Sequence, residues 1–336
     1  MANATSGASP EVGRGAANTQ SAAFYALQML DRGRQLGYRG TTLACRESHL
    51  RLHILPLVGA RKASSLTRSD SLALLDHLRS QSRLRSPNSI LGVFRTWRAL
   101  LWQMRDADVP LPANILSRVG LPQQRRPGGP LFCTDKVAEV AASMRGAAPR
   151  YEIGIWLAAC AGLRIGEVLG LTWDNIDLEQ NRLSVTQQLF NREIRKLKTR
   201  ASYATLPVDR FLVDKLQEHR ERFSADSVNP RYRTSGNGST PQGDWVILNS
   251  WGRPLRNNYF YKCWNSALPT ASLPSRVPFH GLRHYYISIL AESGKYSPTT
   301  IQALARHGCL KSTLSYMHLL DDPDVKGVNV FSTALG

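Results

Sequence analysis

The first part of the chain has the pattern of amphipathic helices, with apolar residues three or four positions apart. This spacing is found in residues 21–36, 41–59, 65–81 and 86–109. The last of these segments is the longest, and its apolar stripe consists of Ile90, Val93, Phe94, Trp97, Leu100, Leu101 and Met104. The pattern predicts a helical domain over residues 21–121.

Capping and breaking residues indicate where these helices begin and end. We expect Pro56 and Gly59 to stop the second helix, because proline lacks the backbone N–H and glycine favours helix ends. Thr67 or Ser69 is expected to cap the third helix, since a hydroxyl side chain can accept from the first free N–H groups.

Beyond residue 130 the pattern changes to helices mixed with short strands. Helical spacing covers residues 134–146, 150–161 and 165–172, and helices resume after a long polar loop at 224–244. Between them, alternation and β-branched residues predict strands in the segments LSVTQQ, REIRKLK and ATLPV. We therefore predict a mainly α fold with a small antiparallel β-sheet.

Composition shifts divide the chain further. The small, polar residues 1–20 are expected to be a disordered tail. Pro and Gly punctuate residues 122–130, which we interpret as a linker whose Arg125 and Arg126 could contact a phosphate backbone. The second domain is then predicted over residues 131–320, followed by a C-terminal tail over 321–336.

The charge of the chain narrows the class of partner. Its formal net charge is +18, with 43 Lys and Arg against 25 Asp and Glu, and the arginines are spread along the sequence. A balance this basic favours a polyanion such as nucleic acid, although a merely basic protein is the alternative. Five scattered cysteines without a CxxC indicate neither a disulfide framework nor zinc, which fits a cytoplasmic protein. No apolar run is long enough for a membrane span.

The segment HGLRHYY, residues 280–286, concentrates basic side chains. A metal site is disfavoured, because no Cys, Asp or Glu completes the ligand set and Arg283 would repel a cation. An anion site is favoured, since His280 and Arg283 lie one helical turn apart and the guanidinium matches two phosphate oxygens. A surface helix with chance basic residues is the alternative.

A second arginine stands at the start of a predicted helix in AGLRIGEVLGL, residues 161–171. The apolar residues before Arg164 suggest that its charge is partly buried and needs a partner. Glu167, three residues on, could hold one side of the guanidinium and leave its other N–H groups free. A plain helix ion pair is the alternative.

The third segment, ARHGCLKSTLSYMHL, joins His307 to Tyr316 nine residues later. A phenol has a pKa of about 10, and nearby cations would stabilise the phenolate. We therefore expect a lowered pKa that activates Tyr316 as a nucleophile. Most tyrosines serve packing alone, which is the alternative here.

Taken together, these motifs resemble the tyrosine recombinase, or phage integrase, family. The matches occur in the family's order and comprise Arg164 in GLRIGE, Lys198 in LKTRASYATLPV, His280 and Arg283 in HGLRH, His307 in ARHG, and Tyr316 in STLSYMH. The resemblance covers about residues 25–320 and implies a SAM-like helical core-binding domain followed by an α+β catalytic domain. Lys196 and Arg200 remain alternatives to Lys198.

Three positions depart from the family's pattern. Tyr285 stands where a small or hydroxyl residue is more common, Gly281 stands where Asp is common, and ARHG replaces the usual LGH. We expect these departures to affect packing only, because none replaces a catalytic side chain.

The resemblance implies a role for each matched residue. Tyr316 would attack a DNA phosphate and form a 3′-phosphotyrosyl bond. Arg164 and Arg283 would bind the non-bridging oxygens, with Glu167 orienting Arg164.

The remaining matches imply proton transfer and further hydrogen bonds. His280 would assist proton removal, His307 would donate a hydrogen bond and Lys198 would be the general acid. No cofactor or metal is implied, because arginines supply the positive charge and the protein ester conserves the phosphate bond energy.

The resemblance also implies partners. It suggests a clamp around double-stranded DNA, a monomer in solution and a homotetramer on DNA, with the C-terminal tail docking on a neighbour. The implied setting is the nucleoid of a bacterium or a phage-infected host, and the implied role is integration or excision of a mobile element. A type IB topoisomerase and a non-catalytic DNA-binding regulator are the alternatives.

Overall fold

The computed structural model describes residues 20–81, 86–123, 132–197, 200–223, 243–274, 277–314 and 316. The chain divides into two compact units, Met1–Pro127 and Gly128–Gly336. Arg125, Arg126 and Lys198 lie outside the described residues, as do the C-terminal tail and residues 1–19 of the N-terminal tail.

The first unit is helical in all its regular elements that the described residues show. Its helices are α1 (Ala22–Gln35), α2 (Gly40–His49), α3 (Leu55–Val58), α4 (Arg68–Ser80) and α5 (Pro87–Asp106). All seven residues of the predicted stripe on α5 are buried, which confirms it. The indole of Trp97 in this stripe donates to the Ser71 hydroxyl at 3.0 Å, so the buried ring keeps a hydrogen-bond partner.

The second predicted helix ends near Gly59 as expected, but it does not stop at Pro56. The helical path continues through Pro56 and ends at Val58, one residue before Gly59. A π-helical turn, Leu50–Ile54, precedes the proline and widens the helix there. A π-turn of this kind accommodates the missing N–H of proline, so the expected stop at Pro56 is wrong.

The cap of α4 is Thr67 rather than Ser69. Thr67 and Asp70 form a capping box, and the Thr67 backbone N–H donates to the Asp70 carboxylate at 2.8 Å. This arrangement satisfies N–H groups that the first turn would otherwise leave free.

The second unit combines helices with short strands. It begins with α6 (Thr134–Ala147), α7 (Glu152–Ala161) and α8 (Ile165–Leu169). The strands are β1 (Ile176–Asp177), β2 (Arg182–Val185), β3 (Gln188–Phe190), β4 (Glu193–Arg195) and β5 (Ala204–Pro207). Helices α9 (Arg210–Arg222), α10 (Asn257–Ala267), α11 (Gly281–Glu292), α12 (Pro298–Ala305) and α13 (Leu310–Leu314) follow.

The strands form two antiparallel sheets instead of the single sheet that was predicted. One has the order β1-β2-β5, and the other is the hairpin β3-β4. Asn191 and Arg192 at the hairpin turn both have positive φ, 50° and 69°, as a tight two-residue turn requires. The strand predicted in REIRKLK ends at Arg195, so Lys196 follows the strand instead of lying in it.

The core of the second unit surrounds α7, where most side chains are buried. This helix ends at Gly162, which has φ +61° and leads directly into Arg164 and α8. A Cβ atom at Gly162 would lie 2.5 Å from the Tyr286 ring on α11. Gly162 therefore allows α11 to approach the turn that presents Arg164.

None of the helices within the described ranges is both long and apolar enough to span a membrane.

Candidate active site

A buried carboxylate, Glu167, lies at the centre of the candidate site. The side chain of Arg164 donates to its Oε1 atom at 2.8 Å, and the Arg164 backbone N–H donates to Oε2 at 2.9 Å. Arg164 is the residue that precedes α8, so the contact is at once a helix cap and an ion pair. The side chain of Arg164 remains 38% exposed, as expected if its free N–H groups are to bind a ligand.

A second arginine, which the sequence analysis did not select, shares this carboxylate. Arg306 Nη1 donates to Glu167 Oε2 at 2.9 Å, and Arg306 Nη2 donates to the Gly162 carbonyl at 3.0 Å. Burial alone would raise the pKa of Glu167, but the charges and hydrogen bonds of Arg306 and Arg164 outweigh it and lower the pKa. Glu167 is therefore held as a carboxylate.

Arg283 lies on α11 and is almost fully buried, with 1% of its surface exposed. Its guanidinium donates to the carbonyl oxygens of Gly162 and Ala305. Burial, followed by the positive charges of Arg164 and Arg306, lowers the pKa of Arg283 to about 9. Two guanidinium groups thus bind one carboxylate and a third lies near them, and this excess of positive charge favours an anion.

Two histidines on successive turns lie beside Arg283. His280 and His284 have their ring centroids 4.8 Å apart and nearly perpendicular planes. Burial, followed by the charges of His284 and Arg283, lowers the pKa of His280 to about 4, although part of the residue is exposed. Burial and the charge of Arg283 also lower the pKa of His284. Both imidazoles are therefore neutral near pH 7 and can accept a proton.

His307 is positioned by the turn that ends α12. Its backbone N–H donates to the Gln302 carbonyl at 3.0 Å, and its own carbonyl accepts from the Gln302 side chain at 3.1 Å. Nδ1 of His307 lies 3.0 Å from the Thr313 hydroxyl. Burial, then the charges of Arg283 and Arg164, lowers the pKa of His307 to about 4.

Tyr316 lies two residues after α13 and brings its phenol to this cluster. The hydroxyl is hydrogen-bonded to Nδ1 of His284, and the two rings are stacked at 5.4 Å. The ring of His307 is also nearly parallel to that of Tyr316, at 6.3 Å. Tyr316 therefore lies against both imidazoles.

The expected lowering of the Tyr316 pKa is wrong for the chain by itself. Burial raises the pKa, and the charge of Arg283 offsets only part of that increase. The phenol is thus protonated at neutral pH, and its hydrogen bond to a neutral imidazole provides a route for the proton.

The fold brings together most of the residues selected from the sequence. Arg164 and Glu167 are in direct contact, while Arg283, His280, His307 and Tyr316 converge on them from α11 and the segments after α12 and α13. Lys196 is exposed, and its carbonyl accepts from Gln188 at 2.8 Å.

Two residues of the cluster were missed. His284 could have been found, because it follows His280 by four positions and so shares its helix face. Arg306 is the second residue of ARHG, a departure that was expected to affect packing only, but its side chain forms an ion pair with Glu167. Its partner Glu167 lies 139 positions away, and no local pattern predicts such a pair.

The arrangement is suited to attack on a phosphate. Guanidinium groups can neutralise charge on the non-bridging oxygens, and the phenol is a nucleophile beside neutral imidazoles that can take its proton. Within the ranges described, no group of three or more His, Cys, Asp or Glu side chains is arranged to hold a metal ion.

The helical unit has a basic groove of its own, with a volume of about 790 Å³. Arg95 and Arg98 of α5 are exposed along it, and the nearby Trp102 is 59% exposed. Arg46 and Tyr38 also line the groove, and the guanidinium carbon of Arg46 lies 5.0 Å from the centroid of the Tyr38 ring. Exposed arginines and aromatic rings in one groove are suited to a nucleic-acid backbone and its bases.

Solved structures of similar fold include two integrases. The Tn1549 transposon integrase, in complex with transposon right end DNA, has a TM-score of 0.74 and 17% identity, covering 94% of this chain and 98% of that chain. A lambda integrase tetramer bound to a Holliday junction has a TM-score of 0.69 and 12% identity, covering 93% and 81%. At these identities the likeness establishes the fold.

Sequence comparison identifies the family. A tyrosine recombinase XerC-like protein of Caldanaerobacter subterraneus subsp. tengcongensis is 25% identical over 218 residues, covering 60% of this chain and 53% of that protein. The matches span about half the length of the first curated relatives, 53% and 48%. A family model described as Phage integrase family matches residues 135–322, which include every element of the cluster around Glu167. The chain therefore belongs to the phage integrase family.

Proposed function

We propose that the chain is a site-specific tyrosine recombinase that cuts and rejoins double-stranded DNA through a 3′-phosphotyrosyl intermediate. The observation that carries this proposal is the convergence of the Tyr316 phenol with the buried guanidinium of Arg283, whose charge acts on it. Transfer of a phosphate diester to a protein side chain requires a nucleophile beside a cluster of positive charge.

In the proposed first step, the Tyr316 oxygen forms a bond to phosphorus and the bond to the 5′ oxygen breaks. Arg164 and Arg283 bind the non-bridging oxygens, where negative charge grows in the transition state. Removing one such donor typically slows a reaction by on the order of 10²–10³-fold. Glu167 keeps Arg164 directed at the phosphate through the contact at 2.8 Å.

Proton transfer is divided among the imidazoles and a lysine. His284 is hydrogen-bonded to the phenol, so its neutral ring can receive the Tyr316 proton, and the ring of His280 lies 4.8 Å from that of His284. His307 donates a hydrogen bond to a phosphate oxygen. Lys198 is the proposed general acid that protonates the departing 5′ oxygen, with Lys196 and Arg200 as the alternatives.

The second step restores the DNA. A 5′ hydroxyl from a partner strand attacks the phosphotyrosyl bond and releases Tyr316. The phosphodiester becomes a protein ester and then a phosphodiester again, so the reaction needs no nucleotide hydrolysis.

We extend the proposal to the assembly and its setting. The helical unit and the linker arginines Arg125 and Arg126 hold the DNA backbone, and a homotetramer joins two sites, with the C-terminal tail contacting a neighbour. The biological role is integration or excision of a mobile element in the bacterial nucleoid.

The test is incubation of the protein with nicked suicide duplexes that tile the DNA flanking its own gene. Loss of a short fragment at the nick traps a covalent adduct, which denaturing electrophoresis detects as a DNA-bound protein band. An adduct restricted to a few duplexes supports the proposal.

Two other results would contradict it. Relaxation of a supercoiled plasmid that lacks those sequences indicates a type IB topoisomerase. Tight binding without any adduct on any duplex indicates a DNA-binding regulator.

A further inference from the structure

Arg306 is a buried charge of the cluster, with none of its side chain exposed. One arm of its planar guanidinium donates to Glu167 and the other to the Gly162 carbonyl, at 2.9 and 3.0 Å. The remaining donor, Nε, is buried and has no hydrogen-bond partner among the described residues. Because the guanidinium is rigid, its two arms set the spacing between these two acceptors.

Both acceptors of Arg306 also serve an arginine of the proposed mechanism. Glu167 accepts from Arg164, and the Gly162 carbonyl accepts from Arg283. Arg306 thus lies behind the two guanidinium groups and fixes the elements that carry them.

The backbone of Arg306 contributes as well. Its φ is +54°, a left-handed conformation at the end of α12 that L residues adopt at some conformational cost. In this turn the preceding Ala305 carbonyl accepts from Arg283, while the following residue is His307. In the resemblance drawn from the sequence, this position is the glycine of LGH, which adopts such a conformation without strain.

We propose that Arg306 is a positioning residue that locks Arg164 and Arg283 into the geometry needed to bind the scissile phosphate. This proposal rests on the recombinase function proposed above. The side chain replaces the bare glycine turn with a two-armed bridge from the end of α12 to the α7–α8 turn.

The first arm of the test measures the rate of covalent adduct formation on suicide duplexes. We compare the wild type with Arg306→Met, which removes the bridge, and Arg306→Lys, which keeps the charge but lacks a planar fork. Both variants should be slower by on the order of 10²-fold, because small displacements of reacting groups have effects of that size. Adduct formation by Arg306→Lys at the wild-type rate would overturn the proposal.

A duplex with a methylphosphonate at the scissile position separates positioning from general damage. This group carries no charge, so attack on it depends less on two well-placed guanidinium groups. The reduction in the rate of adduct formation caused by Arg306→Met should therefore be several-fold smaller on the methylphosphonate duplex than on the phosphate duplex. Equal losses on the two duplexes would mean that Arg306 supports only the fold.

The control and the backup variant use the same substrates. Arg145→Met removes a different arginine–glutamate pair of this unit, the bidentate pair with Glu152, and should keep the wild-type rate. If Arg306→Met does not fold, the double variant Arg306→Met/Glu167→Gln also removes the buried negative charge, which the single variant leaves with Arg164 as its ion-pair partner. The rate of adduct formation by the double variant is compared with that of Glu167→Gln. The reduction should again be larger on the phosphate duplex than on the methylphosphonate duplex.

The second arm needs no cleavage and so stands apart from the proposed function. In arginine-labelled protein, NMR measures how fast the guanidinium N–H protons of Arg164 and Arg283 exchange with water. Both should exchange faster in Arg306→Met and stay unchanged in Arg145→Met. Unchanged exchange in Arg306→Met would overturn the proposal, whereas failure of the wild type to form any adduct would contradict only the recombinase function.

Discussion

The phenol of Tyr316 and the Nδ1 atom of His284 are hydrogen-bonded across 32 positions of sequence. Their rings are stacked with planes 26° apart. This pair links the C-terminal segment of the second unit to α11, the helix that also carries Arg283. The pair therefore determines the position of the proposed nucleophile, the Tyr316 oxygen, relative to the guanidinium of Arg283.

Replacing His284 should displace Tyr316 without removing any phosphate contact. We expect His284→Phe to slow adduct formation by about fivefold, since a hydrogen bond of this kind contributes about 1 kcal/mol. His284→Asn should be faster than His284→Phe, because the Asn side-chain oxygen can replace Nδ1 as an acceptor and hold the phenol, although an amide cannot take the proton. Single-turnover rates on a suicide duplex measure both, and equal rates for Phe and Asn would contradict the positioning role.

Glu167→Gln should destabilise the second unit strongly. The substitution leaves Arg306, which has no exposed side-chain surface, without its charge partner. Breaking a buried pair in this way typically costs about 3–5 kcal/mol. Urea unfolding measures the loss.

The matched control for that measurement is Glu218→Gln. Glu218 pairs with Lys215 at 2.9 Å, but 63% of its side chain is exposed, so its removal should cost less than about 1 kcal/mol. Similar losses for the two variants would show that the pair with Arg306 adds no stability.

Stability should fall in mild acid because of a buried histidine outside the cluster. His219 donates to the Val246 carbonyl at 2.8 Å, and burial lowers its pKa from 6.5 to about 4. Between these values the unfolded chain binds a proton that the folded chain does not. The contribution of His219 is therefore complete above about pH 6.5 and is lost as the pH falls towards 4.

The variant His219→Gln tests this dependence, because an amide can still donate to Val246 but does not titrate. The free energy of unfolding should drop less between pH 7 and pH 5 in the variant than in the wild type. His280 and His307 have pKa values lowered in the same direction, so some acid sensitivity should remain. Identical drops in both proteins would rule out His219 as a contributor.

Local patterns predicted most of the fold, and the errors have local causes. The stripe from Ile90 to Met104 was correct because helical periodicity is a property of adjacent turns. The expected stop at Pro56 failed because a π-turn accommodates the proline. The single sheet became two because strand pairing depends on the turn at Asn191 and Arg192, which the alternation of apolar residues does not reveal.

The candidate site was predictable where motifs are specific. Arg164, Arg283 and Tyr316 were selected from their sequence context, and the fold brings them together. Arg306 was not, because its role depends on a carboxylate from a distant helix. The protonation of Tyr316 was also misjudged, since burial cannot be estimated from the neighbouring cations in the sequence.

The most direct test of the central claim is to identify the protein atom that carries the DNA. The adduct is digested with nuclease and protease, and mass spectrometry locates the residual nucleotide. We predict a 3′-phosphate on Tyr316, no adduct with Tyr316→Phe, and a normal adduct with Tyr296→Phe, whose exposed ring lies on the loop between α11 and α12. A nucleotide attached to any other residue, or an adduct that persists in Tyr316→Phe, would contradict the account.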